Sequence, residues 1–420
     1  MKAKIKQPDS EELFVNTVFY DHELYPLYAE GRDVWNRFMV SRMILPIKLP
    51  EEFSKIEPLT ADEQLSLAKK IGVDHLPFWG TVTGFSGTDF FDDVDFSGFI
   101  FIDNFVFADS HFYGNAIFED CLFMRQANFS GCTFEEDVSF DRVLFRGLFV
   151  LSGVRATSLV SFRNANFAGS LFGTSDSPTF LSNVDFTGAR FTARADFQDI
   201  AFQGIANFNN AIFEDRTSFE GTSFVAVPTF HSAQIHQDTT FHRVKFPSKS
   251  PTRRRADAEE RAWRTLKLAM NKVNSQETEL RFFCREMSAR IPRLRDEGHH
   301  ARALCLVLYR LTSTYGTSFL RPFLLFFLTI FLFSGLYSLE LAKTFGIATS
   351  GKVLSECFGI AAATALNPTN IKSSVDLLSG ISSQAGSAEF WLIPLSLQVL
   401  VSTVLLFLMA LSIKNHFSMK

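Results

Sequence analysis

Through the middle of the chain one large apolar residue returns every five or six positions, the two intervals alternating. Phe96, Phe101, Phe107, Phe112, Phe118, Phe123, Phe129, Phe134, Phe140 and Phe145 keep this beat, and Leu151 and Ala156 hold its next two places. Phe162, Phe167 and Phe172 follow, and after an insertion at 174–178 the ladder resumes at Phe180 and Phe186. It then runs through Phe191, Phe197, Phe202, Phe208, Phe213, Phe219, Phe224, Phe230, Ile235, Phe241 and Phe246. An eleven-residue helical repeat cannot produce this pattern. At about 100° per residue, rungs five apart are turned by roughly 140° and share no helical face. The segment is also crowded with Gly, Ser, Thr, Asn and Asp, which disfavour helix interiors.

The residue two before each rung is usually small or β-branched, as at Ala116, Cys121, Ala127, Cys132, Val138 and Val143. Positions two apart lie on the same side of an extended segment, so each rung pairs a large inward ring with a small inward neighbour. Glycine often sits two after the rung (Gly98, Gly131, Gly188, Gly221), where a tight corner needs a permissive backbone. The repeating unit is thus a very short strand and a turn, and Cys121 and Cys132 read as small core fillers rather than a redox pair.

Helical patterns flank the ladder. Thr60-Ala61-Asp62-Glu63 is a capping box that opens a short helix to about Lys70. Past Phe246, residues 247–251 read as a linker, followed by helical spacing at Trp263, Leu266, Met270 and Val273, then at Leu280, Phe283 and Met287. Glu286 reads as a solvated helix carboxylate, and His299 and His300 lack a third ligand for zinc. Two uncharged apolar stretches, Pro322 to Leu339 and Phe390 to Ile413, are each long enough to span a bilayer. Arg302, Arg310 and Arg321 precede the first and Lys414 and Lys420 follow the second, while the connecting segment mixes both signs. This bias puts both chain ends in the cytoplasm.

Composition sharpens the picture. The 420 residues include 49 Phe, so a repeated structure is consuming that residue, and 46% hydrophobic content asks for more than one structural unit. The net charge of −4 hides an imbalance: residues 85–244 hold 20 acids against 9 bases, and 245–322 hold 17 bases against 8 acids. An acidic repeat segment thus meets a basic collar in which Arg253, Arg254, Arg255, Arg310 and Arg321 are candidate contacts for anionic lipid headgroups. Five scattered cysteines offer no disulfide framework, and the polar start MKAKIKQPDSEEL is not a cleavable signal peptide.

Stretches such as Ala127-Asn128-Phe129-Ser130-Gly131 and Val184-Asp185-Phe186-Thr187-Gly188 resemble the pentapeptide repeat family, in a Phe-centred subtype. The resemblance implies a right-handed quadrilateral β-helix with four faces per coil, hence seven coils for the 28 rungs. Gly31-Arg32-Asp33-Val34-Trp35-Asn36-Arg37-Phe38 looks like the stretch that often precedes such repeats. Trp263 to Met270, Phe282 to Met287, Tyr309, Tyr315-Gly316, Arg321-Pro322 and Leu411 to Phe417 resemble bacterial members with membrane tails.

The expected fold class is therefore an all-β right-handed β-helix followed by an α-helical linker and two transmembrane helices. The expected divisions are 1–85, an N-terminal segment with a helical cap; 86–247, the β-helix; 248–300, a basic helical linker; and 301–420, a two-span membrane domain with spans at about 322–339 and 390–413. No phosphate loop, nucleophile elbow or zincin motif is present, so neither an enzyme nor a cofactor is expected. The leading reading is a scaffold of the inner (cytoplasmic) membrane whose repeats meet a cytoplasmic protein, with lipids as further partners, a homo-oligomer allowed and no nucleic acid expected. One alternative is a channel-like oligomeric pore, drawing on the apolar stretch 353–366 followed by Asn367-Pro368-Thr369-Asn370, which could re-enter the membrane. The other is an acidic rod that mimics DNA toward a topoisomerase-like partner.

Overall fold

The computed structural model describes residues 5–6, 24–43, 49–72, 82–172, 177–247, 256–272, 276–347, 350–367, 369, 371–382 and 387–418. Arg253, Arg254 and Arg255 lie outside the described residues, as do Val273 and residues 248–251 of the linker. The chain divides into two compact units, Met1–Ser250 with Arg261–Glu279, and Pro251–Glu260 with Leu280–Lys420.

The first unit is a β-solenoid. Strands of two or three residues stack into four sheets of eight, seven, six and six strands; Ile5–Lys6 joins the first of them antiparallel to Asp89–Phe90, and every other strand pairs in parallel with its neighbour a coil away, as Thr133–Phe134 does with His111–Phe112 and Arg155–Ala156. The sheets hold about six full turns against the seven expected, because the last rungs are joined by single bridges such as Asn207 to Thr229 and Ser223 to Lys245. Along one wall Phe96, Phe118, Phe140, Phe162, Phe186, Phe208 and Phe230 form a continuous stack with centroids 4.8–5.0 Å apart. That spacing is the separation of neighbouring strands, so one backbone register sets both the hydrogen bonds and the ring stack.

The alternation of five and six residues has a backbone cause. In each five-residue corner, the residue two after the rung adopts the left-handed conformation: Gly98, Gly131, Gly188 and Gly221 do so, and so do Asp109, Asp120, Arg142, Asn164, Asp199, Asn210, Ser232 and Arg243. A turn closes each such corner, as where the Cys132 N–H donates to the Phe129 carbonyl at 3.2 Å. Glycines in the six-residue corners serve a different end. A Cβ on Gly147 would lie 2.2 Å from the backbone of Arg125 one coil earlier, so that corner needs close stacking of main chain.

Register corrects one rung. Phe172 pairs with Val150 on one side and Asp196 on the other, which is the position between the small inward residue and the rung. The insertion beginning just beyond it lengthens that coil by two residues, so that Ala156 pairs with Phe180, and the beat counted along the sequence slips by one place there.

A helical cap closes the first coil. The helices α1 (Leu24–Ala29), α2 (Arg32–Ser41) and α3 (Ala61–Ile71) precede the solenoid, and both hydrogen bonds of the Thr60/Glu63 capping box are present. Fully buried Trp35 donates its indole N–H to the Ile100 carbonyl at 2.9 Å. Asn36 donates to the Gly98 carbonyl and accepts the Ile100 N–H, both at 2.8 Å. These groups would otherwise be an open sheet edge.

Helix α4 (Ala256–Lys272) contributes residues to both units. Within the first, Trp263 packs edge-on against Phe246 at 5.0 Å. The second unit holds α5 (Gln276–Asp296) from Leu280 onward, α6 (His300–Ser313), α7 (Leu320–Phe345), α8 (Gly351–Leu366), α9 (Ile371–Ser382) and α10 (Ser387–Ser418). Glu286 is buried there, at 1% exposure, contrary to the solvated carboxylate expected. It lies 3.5 Å from Arg290, which also pairs with the buried Glu260 at 3.0 Å, and Arg293 reaches Glu260 at 3.1 Å. Burial is tolerated because the acids and arginines neutralise one another.

Candidate interaction surfaces

The inward side of the solenoid is devoted to packing. Of the Phe residues from Phe96 to Phe241 on the ladder, all whose side chains are described are buried, and Phe246 at the end is half-buried. Sequence reasoning missed Phe85 and Phe90, which extend the same beat upstream, and Phe105 and Phe149, which occupy the small inward position. Phe149 is fully buried and lies 4.2 Å from Phe145 and 5.8 Å from Phe162, filling the core where the ladder falls to Leu151 and Ala156. Cys121 and Cys132 are likewise buried, and each thiol donates to a rung carbonyl, Phe96 and Phe107 respectively, at 2.9 Å. Burial pushes both thiols well above their usual range, which leaves them in the unreactive protonated form.

On the outward columns, successive coils bring equivalent residues into register. Ser139, Ser161, Asp185, Asn207 and Thr229 form one column, with Asn207 donating to Asp185 at 3.1 Å and Thr229 donating to Asn207 at 2.8 Å. Burial raises the Asp185 carboxyl, but hydrogen bonds from Thr187 and Arg163 outweigh it and hold the group below the usual carboxylate range. Arg142 likewise clamps Glu119 and Asp120, both at 2.7 Å, and Arg190 pairs with Glu214. Four of the 20 acids counted in 85–244, Glu119, Asp120, Asp185 and Glu214, are thus matched by an arginine one coil away.

One patch differs. Phe91 and Tyr113, 43% and 41% exposed, stack at 5.0 Å on adjacent coils, and His111 stacks on Tyr113 at 3.9 Å. Ile205 and Val225 are exposed elsewhere on the coils, but stacked aromatic rings held rigidly at the surface have the character of a protein contact site.

In the second unit, Leu320–Thr344 and Phe390–His416 are long and apolar enough to cross a membrane. Only 39% and 33% of their apolar windows are buried, whereas the core helix of a soluble protein would be mostly covered. Their outer faces expose Leu324, Phe331, Leu332, Leu400 and Phe407. The start of α7 and the end of α10 meet: Ser412 donates to the Ser318 carbonyl at 3.0 Å and Asn415 to the Gly316 carbonyl at 2.9 Å. Arg310, half-buried, and Arg321, exposed, lie at this same end. Between α7 and α10 the buried Tyr337 donates to the Gln398 side-chain oxygen at 2.5 Å, and the Gln398 amide donates to the Ala361 carbonyl of α8 at 2.7 Å. A lone glutamine inside an apolar run was the available signal for this network. Among the described residues, no three His, Cys, Asp or Glu side chains are grouped to hold a metal ion.

The family model for pentapeptide repeats (9 copies) matches residues 97–144 and 107–155, within the coils just described. No curated protein and no solved structure matches the chain.

Proposed function

We propose that this chain, whose residues 97–155 carry pentapeptide repeats, is a membrane-anchored scaffold that holds a protein partner beside the cytoplasmic membrane. The observation that carries the reading is the division of labour across the solenoid wall: inward positions pack, and outward columns present rigid polar pairs with the exposed Phe91/Tyr113 stack among them. A β-solenoid of this kind suits recognition because its surface is preorganised. Helices α7 and α10 act as the anchor, and the arginines before α7 with the lysine after α10 support a cytoplasmic location for both chain ends. Arg310 and Arg321, with the run Arg253–Arg255, then meet anionic headgroups. The acidic-mimic alternative is less favoured, since Glu119, Asp120, Asp185 and Glu214 are engaged by arginines.

The test is affinity purification of the full chain from detergent-solubilised membranes, compared with the variant Tyr113→Ala. A protein recovered in stoichiometric amount with the native chain and lost with the variant is the expected result. Recovery of no protein, or of the same proteins with both forms, would remove the aromatic patch as the docking site.

A further inference from the structure

The segment between the two apolar helices is not a simple connection. Helix α8 starts just after α7 ends and packs along it, and α9 packs along α10. The Tyr337–Gln398–Ala361 hydrogen bonds fix how far this pair reaches. At about 1.5 Å per residue, Tyr337 sits about 10 Å inside the end of the first apolar stretch at Thr344, and Gln398 about 12 Å inside the start of the second at Phe390. The two depths agree, and the Ala361 carbonyl, 2.7 Å from the Gln398 amide, lies at that level. One turn further along α8, Thr364 is hydrogen-bonded to Ser374 of α9 at 2.7 Å, about 15 Å from the apolar boundary. In a bilayer with a hydrocarbon core about 30 Å thick, that is the middle.

Helix α9 is not built for lipid at that depth. Ser374, Val375 and Leu378 turn toward the bundle and are buried, while Lys372 and Asp376, on either side of Ser374, are exposed. Asn367 and Thr369, at the tip between α8 and α9, are exposed as well. Hydrocarbon offers these groups no partner, and charged side chains at such depth face protein or enclosed water.

We infer that the tail assembles from several copies of this chain around a water-filled space, with the Lys372/Asp376 face of α9 lining it and turned toward the same face of the neighbouring copy. The face carries both signs four residues apart, so a rotated copy can set Lys372 against the neighbour's Asp376, which makes the surface complementary to itself. Apart from Ser396 and Thr403, the latter donating to the Val399 carbonyl of its own helix, the exposed belt inside the α7 and α10 spans is apolar and stays in lipid.

The inference rests on α7 and α10 spanning the membrane, and its test separates the two. Full-length chains with Cys284→Ser and Cys305→Ser, carrying in addition Lys372→Cys, Asp376→Cys or Phe407→Cys, are probed in membranes of expressing cells. The probes are a charged methanethiosulfonate reagent and oxidative cross-linking. The expected result is that Lys372→Cys and Asp376→Cys react about tenfold or more faster than Phe407→Cys and form chain-to-chain disulfides. If both α9 variants are as inert as Phe407→Cys, or cross-link only to a different polypeptide, the inference is overturned and the spans survive. If Phe407→Cys reacts as fast as they do, the spans fail and the inference fails with them. Cross-linking of the unsubstituted chain through its lysines, read as a ladder of multiples of its mass, checks assembly without any cysteine on α9; a single-copy band alone would overturn the inference.

Discussion

Asn36 accepts the N–H of Ile100 at 2.8 Å across 64 residues of sequence, and with its amide it donates to the Gly98 carbonyl at the same distance. One side chain thereby offers the Ile100 N–H the acceptor that a preceding coil would have supplied, as Phe99 does for Leu122 and Cys121 for Leu144, and anchors itself on the Gly98 corner. It covers the exposed edge of the strand Ile100–Phe101, while Ile5–Lys6 pairs antiparallel onto the edge strand Asp89–Phe90 of another sheet.

Asn36→Ala in the fragment 1–279, which contains the first unit, should therefore cost about 1–3 kcal/mol, because it strands a buried N–H. Denaturant unfolding measures the loss. Light scattering should also show concentration-dependent association of the variant through its opened first coil. Unchanged stability and solubility would mean that Trp35 alone provides the cap.

In the middle of the ring stack, Phe208→Ala should cost about 3–5 kcal/mol, as cavity-forming truncations do. Gln203→Ala, on an exposed outward position, should stay within about 0.5 kcal/mol. Asn209 is outward too, but its side-chain carbonyl accepts the His231 N–H of the next coil at 2.7 Å, so it is no neutral control. Equal shifts for Phe208→Ala and Gln203→Ala would contradict the inward assignment.

Some of this was legible in the chain and some was not, for identifiable reasons. The Phe beat and the capping box are local signals, and both survive folding because each depends on residues only a few positions apart. The cause of the alternation was hidden because Asp109, Arg142 and Ser232 adopt the backbone that Gly98 and Gly131 adopt, and no residue type marks it. Phe172 was misplaced because an insertion shifts register without breaking the run of aromatics. Glu286 was misread because one of the residues that pairs with its partner Arg290, Glu260, lies on a different helix. The polar edge of α9 is visible in sequence as Lys372 and Asp376, but its depth follows only from the contacts of Gln398 and Thr364.

The two kinds of corner should respond oppositely to mutation. Ser232 holds a left-handed φ of 57° that costs an ordinary residue energy, so Ser232→Gly should stabilise the fragment by about 0.5–1 kcal/mol after the greater freedom of the unfolded glycine is subtracted. Gly147→Ala should destabilise it by about 1–3 kcal/mol or more, since the new Cβ meets the Arg125 main chain. Melting temperatures of the two variants moving in the same direction would refute the distinction.

Asp185 gives the solenoid a specific sensitivity to acid. Burial acts against its charged form, yet the hydrogen bonds from Thr187 and Arg163 dominate and depress its pKa in the folded state. A carboxylate depressed on folding contributes stability that is complete above its unfolded pKa and disappears as the pH falls through the folded one. The contribution should thus be intact at neutral pH and fade below about pH 4, the ordinary aspartate range. Asp185→Asn keeps the shape but cannot ionise, so it should be less stable than the native fragment at pH 7 and approach it as the pH falls to about 3. Denaturant midpoints for both forms across that interval decide the matter: converging curves are expected, and curves that stay parallel would show that Asp185 is not held in its charged form by Arg163 and Thr187.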